Sequence, residues 1–177
     1  MKKFRVLACT LLVTGFGLTS CSSDDDAGDV NNETQIAGTY NLTAVNTAEA
    51  TDFDEDGTAH IDQMQETDCY DGSKLILNAD STFTFDKNGV VVNTDEGTSG
   101  CTDATYTGTW EILNGSGSDV IVRATYQDNN DDDVVLNLVK SGNEITITDE
   151  FGSYPDRDED TGGAILTFGA VEYLYVK

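Results

Sequence analysis

Leu75-Ile76-Leu77-Asn78-Ala79-Asp80-Ser81-Thr82-Phe83-Thr84-Phe85 is the stretch that decides the fold. Leu75 and Leu77 share one parity, and Phe83 and Phe85 do the same beyond the turn-like Asn78-Ala79-Asp80-Ser81. An apolar residue at every second position is the period of a half-buried strand, and two such runs across a short polar turn make a hairpin. The pattern extends both ways. Residues 40–45 alternate roughly, Val90-Val91-Val92 reads as a short strand after Asn88-Gly89, and Tyr106, Gly108, Trp110 and Ile112 share one parity. Asn114-Gly115-Ser116-Gly117 turns into Val120-Ile121-Val122 and on to Tyr126, and residues 134–139 pair across Ser141-Gly142-Asn143 with Ile145 and Ile147. Residues 165–168 and 171–176 read as a closing hairpin around Gly169-Ala170, and the single proline, Pro155, falls in a loop. Only residues 59–67 read as helix, and that segment is short.

About eight to ten sequential strands joined by short turns must close or stack to hide their edges. The fold expected is all-β: an up-and-down antiparallel β-barrel with one short helix, a two-sheet sandwich being the alternative. Gly38-Thr39-Tyr40-Asn41-Leu42 and Gly108-Thr109-Trp110-Glu111-Ile112 repeat one pattern, Gly-Thr-aromatic-x-aliphatic. In each, glycine would let the backbone bend as a strand begins and the aromatic would plug one end of the core.

Ile36-Ala37-Gly38-Thr39-Tyr40-Asn41-Leu42, Cys69, the 75–85 block, Cys101 and Gly108-Thr109-Trp110-Glu111-Ile112 together resemble the lipocalin-like lipoproteins of Bacteroidetes, in which Trp usually stands in place of Tyr40. The resemblance covers roughly residues 36–177 and weakens after Tyr126. It implies a small lipocalin-like β-barrel and supplies no catalytic residues.

The N-terminus reads as a lipoprotein signal. Lys2, Lys3 and Arg5 precede an apolar run from Val6 to Leu18, too short to span a bilayer and of the length of a secretory signal. Leu18-Thr19-Ser20-Cys21 resembles a lipobox, so cleavage after residue 20 would leave a lipidated Cys21. Ser22-Ser23-Asp24-Asp25-Asp26 looks like the surface-export tag of Bacteroidetes-type lipoproteins; an acidic spacer is the plainer reading. The expected organisation is a signal peptide at 1–20, a lipidated flexible acidic tether at 21–35 and one barrel domain at 36–177. The expected location is the outer membrane, held by lipid at the cell surface, with the periplasmic face as the alternative.

Charge narrows the partners. The 177 residues carry 9 Lys+Arg against 33 Asp+Glu, a formal charge of −24. Residues 1–20 hold three of the cations and no acid, so their removal takes the charge from −24 to −27. Such a surface repels phosphate backbones, which excludes nucleic acid, and attracts cations, Ca²⁺ above all outside the cell. Of the four cysteines, Cys9 leaves with the signal and Cys21 takes lipid. Cys69 and Cys101 remain, an even pair expected to form a disulfide in an oxidising compartment; two buried free thiols are the alternative.

Asp52-Phe53-Asp54-Glu55-Asp56-Gly57-Thr58 carries the sharpest chemistry. Carboxylates at positions one, three and five converge when the chain turns sharply, glycine at six permits the turn, and the Thr58 carbonyl would supply position seven. Position twelve is Gln63 where a bidentate Glu is expected, and Asp62 and Glu66 are the neighbours able to close the shell. A solvated acidic loop is the competing reading, and the acidic runs 128–133 and 156–160, which lack this spacing, read as solvated turns able at most to lend a carboxylate. Nothing marks a catalytic centre. His60 is the only imidazole, and no nucleophile elbow, Cys–His pair or histidine cluster is present. The expectation is a non-enzymatic binding protein for a small apolar or amphipathic ligand. The alternative is a filled barrel engaging a protein or glycan.

Overall fold

The structure, a computed structural model, describes residues 35–177. Cys21, the signal peptide and the tether up to residue 34 lie outside the described residues. The strands are β1 (Gly38–Thr51), β2 (His60–Asp62), β3 (Lys74–Leu77), β4 (Thr82–Asn93), β5 (Thr98–Ser116), β6 (Asp119–Gln127), β7 (Asp133–Ser141), β8 (Glu144–Asp149), β9 (Ser153–Arg157), β10 (Ala164–Phe168) and β11 (Val171–Val176).

Eight of them, β1, β3, β4, β5, β6, β7, β8 and β11, pair antiparallel in chain order, and β11 returns to pair with β1. That closure excludes the sandwich and leaves the barrel without an open edge. The deciding hairpin forms as read: Leu75 lies opposite Phe85 and Leu77 opposite Phe83, all four buried. The strand parities converge on one core, in which Leu75, Leu77, Phe83, Trp110, Val122 and Leu138 are buried. Bulges at Leu42/Ala44 and Ile112/Asn114 absorb the bending of the two long strands.

The barrel has two unlike ends. At the sealed end the turns are short and backbone acceptors are capped. Trp110 Nε1 donates to Asn78 O at 3.0 Å, Tyr40 Oη to Ile36 O at 2.6 Å and Lys140 Nζ to Gly142 O at 2.6 Å. Tyr40 and Trp110 both plug this end, as the repeated motif implies. Gly108 serves another purpose than a bend at a strand start: it lies inside β5, where a Cβ would fall 2.0 Å from Thr125 O and 2.7 Å from the Phe83 ring.

The other end is an elaborated mouth. β3 pairs with β4 only as far as Asp86, and β6 pairs with β5 only from Gly108, so residues 87–93 and 98–104 project as a two-stranded arm beyond both neighbours. Asn88-Gly89 lies inside this continuous strand. The Cys69–Cys101 disulfide ties the arm to a 3₁₀ turn at Asp68–Tyr70.

Three expectations need correction here. The closing hairpin does not form: β10 pairs with β9 in a separate two-stranded ribbon, because β11 already has β8 on one edge and β1 on the other. Pro155 is buried within β9, where an edge strand tolerates a residue without an N–H. Residues 59–67 form no α-helix. Residues 60–62 pair with β1 instead, and Asp62 then caps a single 3₁₀ turn, Gln63–Gln65, through Met64 N.

Candidate functional site

The acidic loop between β1 and β2 folds around its own carboxylates. Asp52 Oδ2 accepts Gly57 N at 3.0 Å, Asp54 Oδ1 accepts Asp56 N at 3.0 Å and Asp56 Oδ1 accepts Thr58 N at 2.7 Å. Gly57 has φ +91°, the left-handed conformation that the sharp turn demands and that glycine adopts without penalty. Under the loop sits Glu66, 3 % exposed. Its Oε2 accepts the N–H groups of Phe53 at 2.7 Å and Asp54 at 3.3 Å. Its Oε1 accepts His60 N at 3.1 Å and lies 3.0 Å from His60 Nδ1.

One oxygen each from Asp52, Asp54 and Glu66 lies within 4.8 Å of the others, a spacing that fits a shared cation. Asp52 Oδ1 is buried with no donor among the described residues, an acceptor that a cation would satisfy. In a cation site here, Glu66 would supply the acid that Gln63 does not. Gln63 is fully buried and donates through Nε2 to Thr51 Oγ1 at 2.8 Å. The other residues of the expected set stand apart from the three. Asp62 Oδ1 is engaged by Val45 N and Met64 N, Asp56 is exposed, and Thr58 is exposed with its N–H on Asp56.

The β9–β10 ribbon reaches this loop. Arg157 Nε donates to Phe53 O at 2.8 Å, and its guanidinium lies 4.7 Å from the centre of the Phe53 ring. The acidic run 156–160 therefore faces the acidic loop across a trough of about 800 Å³ lined by Glu49, Asp52, Glu55, Asp156, Asp158, Glu159 and Asp160, with Arg157 among them. Asp158 is held below the usual carboxylate range by hydrogen bonds from Thr161. At this same end Ala164, which lies opposite Arg157, donates its N–H to Gly97 O at the tip of the arm at 2.9 Å.

The ribbon and the arm enclose the second feature of the mouth. A cleft of about 460 Å³ lies among Val90 and Ala104 of the arm, Pro155 and Leu166 of the ribbon, and the rings of Tyr70, Tyr106 and Tyr173. A smaller cavity of about 110 Å³ lies within the barrel mouth, and Lys87, Asn88 and Tyr173 line both. Its floor is an aromatic cluster: Phe85 lies 6.3 Å from Tyr126 and 6.4 Å from Tyr175, centre to centre. Burial pushes the Tyr70 and Tyr175 hydroxyls far above their ordinary value, with neighbouring tyrosines adding to the effect, so both are neutral at any physiological pH. Below that floor the barrel interior is occupied by the buried side chains of Leu75, Leu77, Phe83, Val122 and Leu138.

These mouth residues were missed in the sequence. A signal was present, since Lys87 continues the parity of Phe83 and Phe85. A cation at the next inward position of a clean alternation marks the place where the core ends and the mouth begins. No protein-family model, no curated protein and no solved structure matches the chain.

Proposed function

We propose that this chain is an exported, lipid-anchored binding protein without catalytic activity that holds a small amphipathic ligand at the mouth of its barrel, not deep inside it. The observation that carries the reading is the pair of adjoining cavities over a filled barrel. The inner one, about 110 Å³, is far below the roughly 300–1,000 Å³ of ordinary ligand sites, whereas the cleft, about 460 Å³, falls within that range. The neutral apolar probe N-phenyl-1-naphthylamine should bind saturably, one per chain. Ala104→Trp, which fills the cleft from an exposed arm, should abolish that binding. A wild-type protein that binds no probe, or a variant that binds it equally well, overturns the reading.

The anchor in this reading is Cys21, displayed at the outer-membrane surface as a lipocalin-like lipoprotein. Fatty-acid labelling lost in Cys21→Ser, together with digestion by protease added to intact cells, tests both parts. Ca²⁺ is the ion of the acidic loop, held by Asp52, Asp54 and Glu66. Its role is structural: it relieves the repulsion among these carboxylates and fixes the loop to which Arg157 ties the ribbon.

A second reading, a filled barrel engaging a protein or glycan, draws on Phe151 and Phe168, 95 % and 83 % exposed at the base of the ribbon. Cross-linking on cells separates the two: Phe151→Ser with Phe168→Ser should lose a macromolecular partner and keep the small probe.

A further inference from the structure

Six cations lie among the described residues, and five have partners. Lys74 pairs with Asp86, Arg123 with Glu111, Arg157 bonds Phe53 O, Lys140 bonds two carbonyls and Lys177 bonds Ala37 O. The exposed Lys87 alone has a side chain with no hydrogen bond or ion pair to the described residues, in a chain with 33 acids to choose from. It is also one of the residues lining both cavities. We propose that the mouth takes a ring-bearing amphiphile with a single negative charge, its acid group on the Lys87 ammonium and its apolar body in the cleft against Tyr70, Tyr106 and Tyr173. This rests on the mouth being the ligand site and names the chemical class of the ligand.

The lining fits such a molecule from both sides. Tyrosine rings give apolar faces at low entropic cost, and Val90, Pro155 and Leu166 complete an apolar wall. An acid brought against these walls leaves water and needs a charged donor, which Lys87 supplies. The carboxylates nearby limit the charge. Asp149 lines the inner cavity and is engaged by Phe151 N, and Asp103 borders the cleft from a strand position with the outward parity of Thr105. With the field of a −24 chain behind them, they disfavour a dianion, while one negative charge is neutralised by one lysine.

The test uses two probes of similar shape on the purified protein. The anionic one is 8-anilinonaphthalene-1-sulfonate and the neutral one is N-phenyl-1-naphthylamine. The anionic probe should bind saturably, one per chain. Lys87→Gln should weaken it about tenfold, the loss of one charge-assisted bond. Lys87→Arg should restore it, and the neutral probe should change less than twofold across these variants. Lys74→Gln removes an equal charge from the outer surface and should leave both probes unchanged. Equal sulfonate affinity in Lys87→Gln, or the same loss in Lys74→Gln, overturns the assignment of the headgroup while neutral-probe binding keeps the mouth as a ligand site. Absence of binding by both probes overturns the site and the class together.

Discussion

The sealed end and the mouth of this barrel are built from the same strands by different physics. At the sealed end, inward side chains meet at the barrel axis, and Trp110, Tyr40 and Lys140 cap backbone carbonyls that the short turns leave open. Its stability comes from apolar transfer and close packing, which respond little to salt or ions. At the mouth, strands overrun their neighbours, and one buried carboxylate, Glu66, organises four donors. A disulfide, an arginine and facing acidic runs do the rest. A barrel can therefore carry its fold at one end and leave the other free for recognition.

Five changes put that contrast to the test. The largest effect is expected at the sealed end. Trp110→Ala removes a buried ring and its bond to Asn78 O, and should cost about 3–5 kcal/mol in denaturant unfolding with the slope unchanged. A smaller loss than any mouth variant gives would invert the comparison.

Next comes the disulfide, whose separation of 32 residues predicts a loss of roughly 3–4 kcal/mol for Cys69→Ser with Cys101→Ser in the chain-entropy model. The folded variant should show faster amide exchange in the arm and unchanged exchange in β7 at Leu138. Uniform acceleration would mean that the arm and the barrel open as one unit.

Calcium should act on the mouth alone. At a hundredfold excess over the dissociation constant it should add about 2.7 kcal/mol, and three carboxylates without a bidentate Glu at position twelve predict weak affinity near ~0.1–1 mM. Asp54→Asn removes an exposed ligand without touching the Glu66 hub and should abolish most of the shift; Asp158→Asn should not. Identical melting in millimolar Ca²⁺ and in EDTA would reduce the loop to a solvated acidic turn.

Arg157→Gln should cost about 1–2 kcal/mol, the scale of one cation–π contact and one charged hydrogen bond, with the loss confined to exchange protection of β9 and β10. Protection of the ribbon retained in this variant would assign its placement to the Gly97 contact instead.

The smallest effect is that of pH. Asp80 is lowered by Thr82, Asp128 by the N–H groups of Asn130 and Asp132, and Asp158 by Thr161. A carboxylate whose folded value is depressed stabilises the fold above its unfolded value and loses that contribution as pH falls through the folded one. Asp128 and Asp158 are at the mouth and Asp80 at the sealed end, so acid should loosen the 128–133 and 158–162 turns with little change in the core. Carboxyl NMR titrations that place all three in the usual range would remove this difference.

How much of this was legible depends on how local the cause is. Alternation at 75–85 reports burial of one face and needs no partner, so the hairpin and the inward set follow from residue order. The hydrogen bonds inside the 52–58 loop are equally local, spanning two to five residues, yet the spacing alone reads only as a Ca²⁺ loop or a solvated turn. Residues 165–168 show the limit. Their β propensity was visible, yet they pair with β9 and not β11, because pairing depends on which edges closure has already consumed.

Residue order alone carried the all-β class, the inward-facing set of the strands, and the cysteine pair available for a disulfide. These follow from periodicity, turn chemistry and counting, each a property of neighbours along the chain. Only the folded barrel, closed on itself, decided the β11–β1 pairing, placed Glu66 beneath the acidic loop beside Asp52 and Asp54, joined that loop to the ribbon through Arg157, and left the Lys87 side chain unpaired between two cavities. The Glu66 and Arg157 contacts depend on atoms 13 to 104 residues apart meeting at a few ångströms, a relation fixed by barrel closure and absent from any local stretch of sequence.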